Sequence, residues 1–286
     1  MNHPELSRGA KGADVCHLQS CLNRVGAMLL VDGDFGRGTE TAVRYAQEIA
    51  GLPDTGTADG SLWQWLDLQP EPFPPLATNG VAFIALKETG GLNYYNQVTR
   101  WPHYPGFASG ITLGVGYDLR FAGAHDFQAL WGSYLSPAIM AELAQDIGRA
   151  GTKKRAQALK AQNIEIPFKI AWRVFVDDTL PRFYHQTEAI YPSLPSLPPL
   201  CASALVSIVF NRGSSLNGAS RLEMRAIRDL LALADNPTFH KQKRKMILAD
   251  VEDQIVAMQR LWGPASGLYL RRQAEANLWR QGLEEW

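Results

Sequence analysis

"DGDFGRGTETAVRYAQEIA", residues 32–50, joins two unlike patterns. Gly33, Gly36 and Gly38, with Asp32 and Asp34 among them, read as a tight turn, because glycine reaches backbone conformations closed to other residues. From Thr39 onward Ala42, Val43, Ala46 and Ile49 recur at helical spacing, so a helix follows with Thr39 at its start. Upstream, "DVCHLQSCLNRVG" sets Val15, Leu18, Leu22 and Val25 on one helical face and ends at Gly26, a C-cap residue. Downstream, "GLPDTGTADGSLWQWL" is a second turn and a short helix bearing Trp63 and Trp65. Leu18, Leu22, Phe35, Ala42 and Val43 are the expected core. Two positions apart on one short helix the tryptophans point differently, and one is expected in the core. The reading is a small helical module over 1–68.

The composition breaks at "LQPEPFPPLATNG", where Pro70, Pro72, Pro74 and Pro75 favour an extended connector. Residues 69–80 are read as a linker, and 81–286 as a larger domain. In that domain "FIALKETGG", residues 83–91, is an apolar helix ending in one carboxylate, Glu88, before two glycines. "GITLGVGYDL" combines β-branched and aromatic residues with Gly114 and Gly116, which predicts a small hairpin. "LPPLCASALVSIVFNRG" is apolar on nearly every side and predicts a buried central helix that emerges at Asn211 and Arg212. "YLRRQAEANLW" predicts a last helix with Leu270, Ala274 and Leu278 on one face. The fold class is therefore mainly α: a small three-helix domain linked to a larger α+β domain with one hairpin.

Composition narrows the function. The 286 residues carry no net charge, yet residues 1–78 sum to −5 and the remainder to +5. That basic excess is too small to imply nucleic acid. Lys153, Lys154, Arg155 and the run from Lys241 to Lys245 are expected on solvated helix faces. Cys16, Cys21 and Cys201 are read as reduced, partly buried thiols, and no Cys/His spacing suggests a metal. No apolar run approaches a membrane span, and "MNHPELSRGAKG" lacks the features of a secretory signal. Synthesis in the cytoplasm is expected, with action elsewhere requiring release by another protein.

The order "VCHLQSCLNRVGA", "VDGDFGRGTETAVRYAQEIAGLPDTGTAD", "LWQWL" resembles the three-helix peptidoglycan-binding module of cell-wall hydrolases. Its ligand contacts would come from exposed groups near the turn, such as Asp34 and Arg37. Downstream, Glu88 at a helix end, then "TLGVGYDL", "ALVSIVFNRG" and "LRRQAEANLW" resemble the phage-type lysozymes, the muramidases used as endolysins. That resemblance implies Glu88 as general acid and Thr112 as the hydroxyl positioning water or sugar. It puts Tyr117 where the family has a histidine, and Arg271 or Arg272 as the partner that holds the glutamate. Asp118 and Asn211 are supporting candidates, and Glu223 is a more distant carboxylate. Tyr94, Tyr95, Trp101 and Tyr104, in the insert "LNYYNQVTRWPHYPGFASG", are candidates for a glycan groove. The family's aspartate between Glu and Thr is missing, and the two lie 24 residues apart.

Glycoside cleavage needs a proton on the leaving oxygen while positive charge grows on the sugar ring. A helix C-terminus and apolar neighbours disfavour a charged carboxylate, and Arg271 or Arg272 would oppose this. With no aspartate nearby, either Thr112 orients a water with Glu88, or the sugar's own 6-hydroxyl attacks. The expectation is a monomeric endolysin without metal or cofactor. It would cleave the β-1,4 bond between N-acetylmuramic acid and N-acetylglucosamine, reaching the wall once a holin-type protein opens the membrane. The alternatives are a lytic transglycosylase and a non-enzymatic wall-binding protein.

Overall fold

The computed structural model describes residues 3–106 and 108–286. It is mainly helical with one two-stranded hairpin, as the periodicities predict. The chain forms two compact units. One comprises the chain through Pro72 together with Ala85–Leu180, the other Phe73–Ile84 together with Pro181–Trp286. Residues 81–286 are thus divided between both.

The first unit begins with α1 (Ala13–Arg24), α2 (Arg37–Ala50) and α3 (Gly60–Asp67). These bury Val15, Leu18, Leu22, Phe35, Ala42, Val43, Leu62 and Trp63 in one core. Trp63 is the core indole, with its ring N–H donating to the Pro4 carbonyl at 2.9 Å, while Trp65 is only half-buried. Helix α2 starts at Arg37, two residues earlier than Thr39, because Thr39 is engaged otherwise. Its hydroxyl donates to the Asp34 carbonyl and accepts from Gln19. Gln19, buried on α1, also accepts from the N–H groups of Asp32 and Gly33, so one amide holds the whole glycine turn. Gln47 on α2 does the same for the next turn, accepting from Thr55 and Gly56 and donating to Thr55 Oγ1 and the Thr57 carbonyl. A buried glutamine that satisfies otherwise orphaned backbone groups fixes a loop that has no ladder of its own.

Helix α4 (Thr78–Thr89) begins within the proline-rich stretch 69–80. After it come the short α5 (Leu92–Tyr94), a π-turn over Tyr95–Thr99, and the hairpin of β1 (Thr112–Leu113) and β2 (Tyr117–Asp118). Helices α6 (Ala124–Trp131), α7 (Pro137–Ala144), α8 (Lys153–Ala161) and α9 (Phe168–Val174) complete this unit. Lys153 and Lys154 are exposed as expected, but Arg155 is half-buried and pairs with Asp146 at 2.8 Å and Glu142 at 2.6 Å.

The second unit contains α10 (Leu180–Ile190), α11 (Pro199–Arg212), α12 (Leu222–Ala234), α13 (Lys241–Ala257) and α14 (Gly267–Glu284). Every residue from Leu200 to Val209 is buried, as the all-round apolarity of that stretch requires. Gly80 on α4 and Gly282 on α14 allow close approach to α11: a β-carbon at Gly80 would lie 2.1 Å from Ser203 Oγ, and one at Gly282 2.8 Å from the Cys201 nitrogen. Helix α14 corrects the expectation for its faces. Leu270 is 60% exposed, whereas Arg271 and Arg272 are buried beside Leu278 and Trp279. Glu275 accounts for part of this, since it lies three and four residues on and pairs with both guanidinium groups inside the unit.

Candidate functional site

Glu88 is half-buried on the last turn of α4, after a run from Val81 to Ala85 that is wholly buried. Gly90 and Gly91 follow with φ of 77° and 93°, values that favour glycine, and the Gly90 N–H donates to the Leu86 carbonyl at 2.9 Å. Thr89 locks this helix end: its hydroxyl donates to the Ala85 carbonyl at 2.8 Å and contacts Met28 Sδ, while the Gly91 N–H donates back to it. The chain reversal after Glu88 is therefore fixed by backbone geometry and one hydroxyl.

Thr112, buried on β1, pairs on both sides. It stands opposite Asp118 in the hairpin, and it exchanges backbone hydrogen bonds with His103 at 3.0 and 2.8 Å. Residues directly opposite in antiparallel pairs share a face. His103, Thr112 and Asp118 therefore form one row across this small sheet. The Asp118 carboxylate is occupied by the backbone: it accepts from the Gly110 N–H at 2.9 and 3.0 Å and from the Arg120 N–H at 2.9 Å. It shapes the turn and caps the short helical turn that follows. Gly110 is required there, since a β-carbon would come within 2.5 Å of Asp118 Oδ1.

His103 is the residue that the motifs missed. Nothing singles it out in the insert, and only the pairing with Thr112 brings it to the row. Its Nδ1 lies 3.3 Å from the Trp101 carbonyl, which can only accept, so Nδ1 carries the proton and Nε2 keeps its lone pair. Burial pushes the imidazole below the ordinary histidine range, against the opposing pull of that carbonyl and of Asp118. It is a neutral, oriented acceptor.

The aromatic candidates separate. Tyr94 is 51% exposed and stacks over Gly90, and Tyr104 is half-buried beside Gly151. Trp101 is half-buried, with Arg100 and Lys160 over its ring at 5.2 and 5.5 Å. Tyr95 is a correction: it is fully buried, its hydroxyl donates to the Ile166 carbonyl at 2.8 Å and its ring meets Phe168 edge-on, so it has no surface for a glycan. Tyr117 is likewise a core residue, edge-on to Trp131 at 5.4 Å.

In the second unit Arg271 and Arg272 both pair with Glu275. Arg271 adds hydrogen bonds to the carbonyl and hydroxyl of Ser207, and Arg272 donates to Asn211 Oδ1 at 3.1 Å. Glu223 is buried and paired with Arg260.

On the N-terminal module Asp34 is exposed and lies 3.4 Å from Lys11 Nζ, and Arg37 is exposed at the start of α2. A shallow depression of about 320 Å³ runs beside them, lined by Gln19, Leu30, Asp32, Asp34 and Thr39 among others. A second groove of about 430 Å³ lies between this module and α9, with Tyr45, Trp65 and Trp172 as walls and Arg24, Lys169 and Asp177 as charges. Residues 11–66 match the peptidoglycan binding domain family, which makes this segment a peptidoglycan-binding module and the cell wall its partner. Comparison with curated proteins returns no match.

Proposed function

We propose that this chain, whose N-terminal segment binds peptidoglycan, is a modular endolysin that cleaves the β-1,4 bond between N-acetylmuramic acid and N-acetylglucosamine. The observation that carries the reading is a hairpin on which Thr112 stands next to an oriented histidine, in the same compact unit as the glycine-terminated helix end that bears Glu88. Glu88 gives its proton to the leaving glycosidic oxygen as positive charge develops on the muramic ring. Thr112 holds a water, and His103 Nε2 accepts the proton that this water loses on attack. His103 thereby replaces the missing aspartate as the acceptor. The module raises the local concentration of the enzyme on the wall. The enzyme acts alone as a monomer, after a separate membrane-permeabilising protein gives it access; among the described residues no helix is long and apolar enough to cross a membrane.

One observation favours a second reading. Because the Asp118 carboxylate is engaged by backbone N–H groups, no second carboxylate of the row is available, which suits a lytic transglycosylase. In that case the muramic 6-hydroxyl attacks and the product is an anhydro sugar. Digestion of purified cell wall by the parent and by Glu88→Gln tests both. The parent should clear the wall and release reducing ends, and the variant should lose at least about 100-fold in rate while still binding wall. Anhydro products would select the transglycosylase, and an unchanged rate in the variant would remove Glu88 from the chemistry.

A further inference from the structure

We propose that His3, His17 and Asp67 form a binding site for a divalent transition-metal ion of the zinc type on the N-terminal module. The three come from distant points of the sequence: the N-terminal segment, the exposed face of α1 and the last residue of α3. Their ligand atoms nevertheless lie within 4.8 Å of one another. His3 Nε2 is 3.1 Å from Asp67 Oδ2. Two ligands bound tetrahedrally to zinc at 2.0–2.1 Å sit roughly 3.3 Å apart, so this pair already has the separation that a shared ion imposes. His17 is exposed and needs only a side-chain adjustment to close the third side.

The ligand on the N-terminal segment is held in advance. The N-terminal segment is tied down by the Trp63 ring N–H on the Pro4 carbonyl and by the bridge between Leu6 and Ala58. His3 stacks on the Trp63 ring at 4.3 Å, His17 stacks at 5.5 Å, and the two imidazoles lie 5.4 Å apart. Two imidazoles at this separation can turn their ring nitrogens toward a common cation. The surrounding charge also favours one, since residues 1–78 sum to −5. Cys21 Sγ lies 3.8 Å from His17 Nε2 but is buried and is not counted among the ligands. The geometry therefore gives two nitrogen ligands and one oxygen ligand, with a fourth position open to solvent. Such an ion would clamp the N-terminal segment to α1 and α3. The site is separate from the Glu88 chemistry, so its failure or success leaves the proposed cleavage reaction untouched.

The test uses the full chain without a histidine tag, stripped by chelator and titrated with zinc chloride against a chromophoric competitor. One equivalent should bind, and Co²⁺ in its place should give the visible absorption of a low-coordinate N/O site. His17→Ala and Asp67→Asn should each weaken binding by roughly tenfold or more. Both alter exposed side chains, and unchanged circular dichroism would verify that the fold persists. His125→Ala and His185→Ala, at exposed histidines that are not members of the cluster, should leave the affinity unchanged. Absence of a bound equivalent, or uptake insensitive to both site variants, overturns the assignment and leaves His3 and Asp67 as an ordinary hydrogen-bonded pair.

Discussion

His103 shows how a single side chain acquires a role from its surroundings. Burial disfavours its charged form, so the folded pKa lies below the ordinary value of 6.5. The unfolded chain binds a proton at that site more readily than the folded one. Stability tied to the neutral imidazole is present above about pH 6.5 and is lost as pH falls through the folded pKa. Asp118, the charged neighbour in the same row, opposes the shift without reversing it. Thermal unfolding followed from pH 7.5 to 5 should give a falling midpoint in the parent and a shallower fall in His103→Gln. Identical profiles would show that this histidine does not control the acid response. In the proposed reaction a protonated His103 cannot accept the water's proton, so wall cleavage should decline over the same pH window.

At the scale of elements, helix ends and faces were largely legible. Gly26 and Gly90 stop α1 and α4 as the glycine rule predicts, and α11 is buried all round because it has no polar face. Helix α14 was not legible in the same way, because its buried face is ionic. Arg271, Arg272 and Glu275 enter the interior together, and no hydropathy pattern marks a charge that is paired with a residue one turn away. Removing the carboxylate that both arginines share leaves their buried charge less compensated, a loss of about 3–5 kcal/mol. Glu275→Ala should therefore lower the urea midpoint by a corresponding amount. A shift under about 1 kcal/mol would mean that water reaches the arginines once the carboxylate is gone.

For the molecule as a whole, the N-terminal module has a core of its own but does not stand clear of the chain that follows. Tyr45 meets the Phe168 ring edge-on at 5.7 Å, and Gly26 is so close to α9 that a β-carbon would come within 2.6 Å of the Trp172 ring. Deleting residues 1–68 therefore uncovers Phe168 and Trp172 as well as removing the wall anchor. The truncated chain should bind wall more weakly and unfold several degrees lower than the parent by calorimetry. An unchanged unfolding temperature would mean that the module contributes affinity alone.

The sequence by itself determined what depends on neighbours a few residues apart. It gave the three-helix module with its glycine turn, the hairpin, the apolar central helix, and Glu88 at a capped helix end. Tertiary structure decided what depends on chain closure. It set His103 against Thr112, turned Tyr95 into the core, spent the Asp118 carboxylate on the Gly110 and Arg120 amides, and gathered His3, His17 and Asp67. These pairings join residues whose local sequences carry no mark of one another. Periodicity reports which face of an element is apolar, whereas the partner that a polar side chain meets is fixed only when the elements pack.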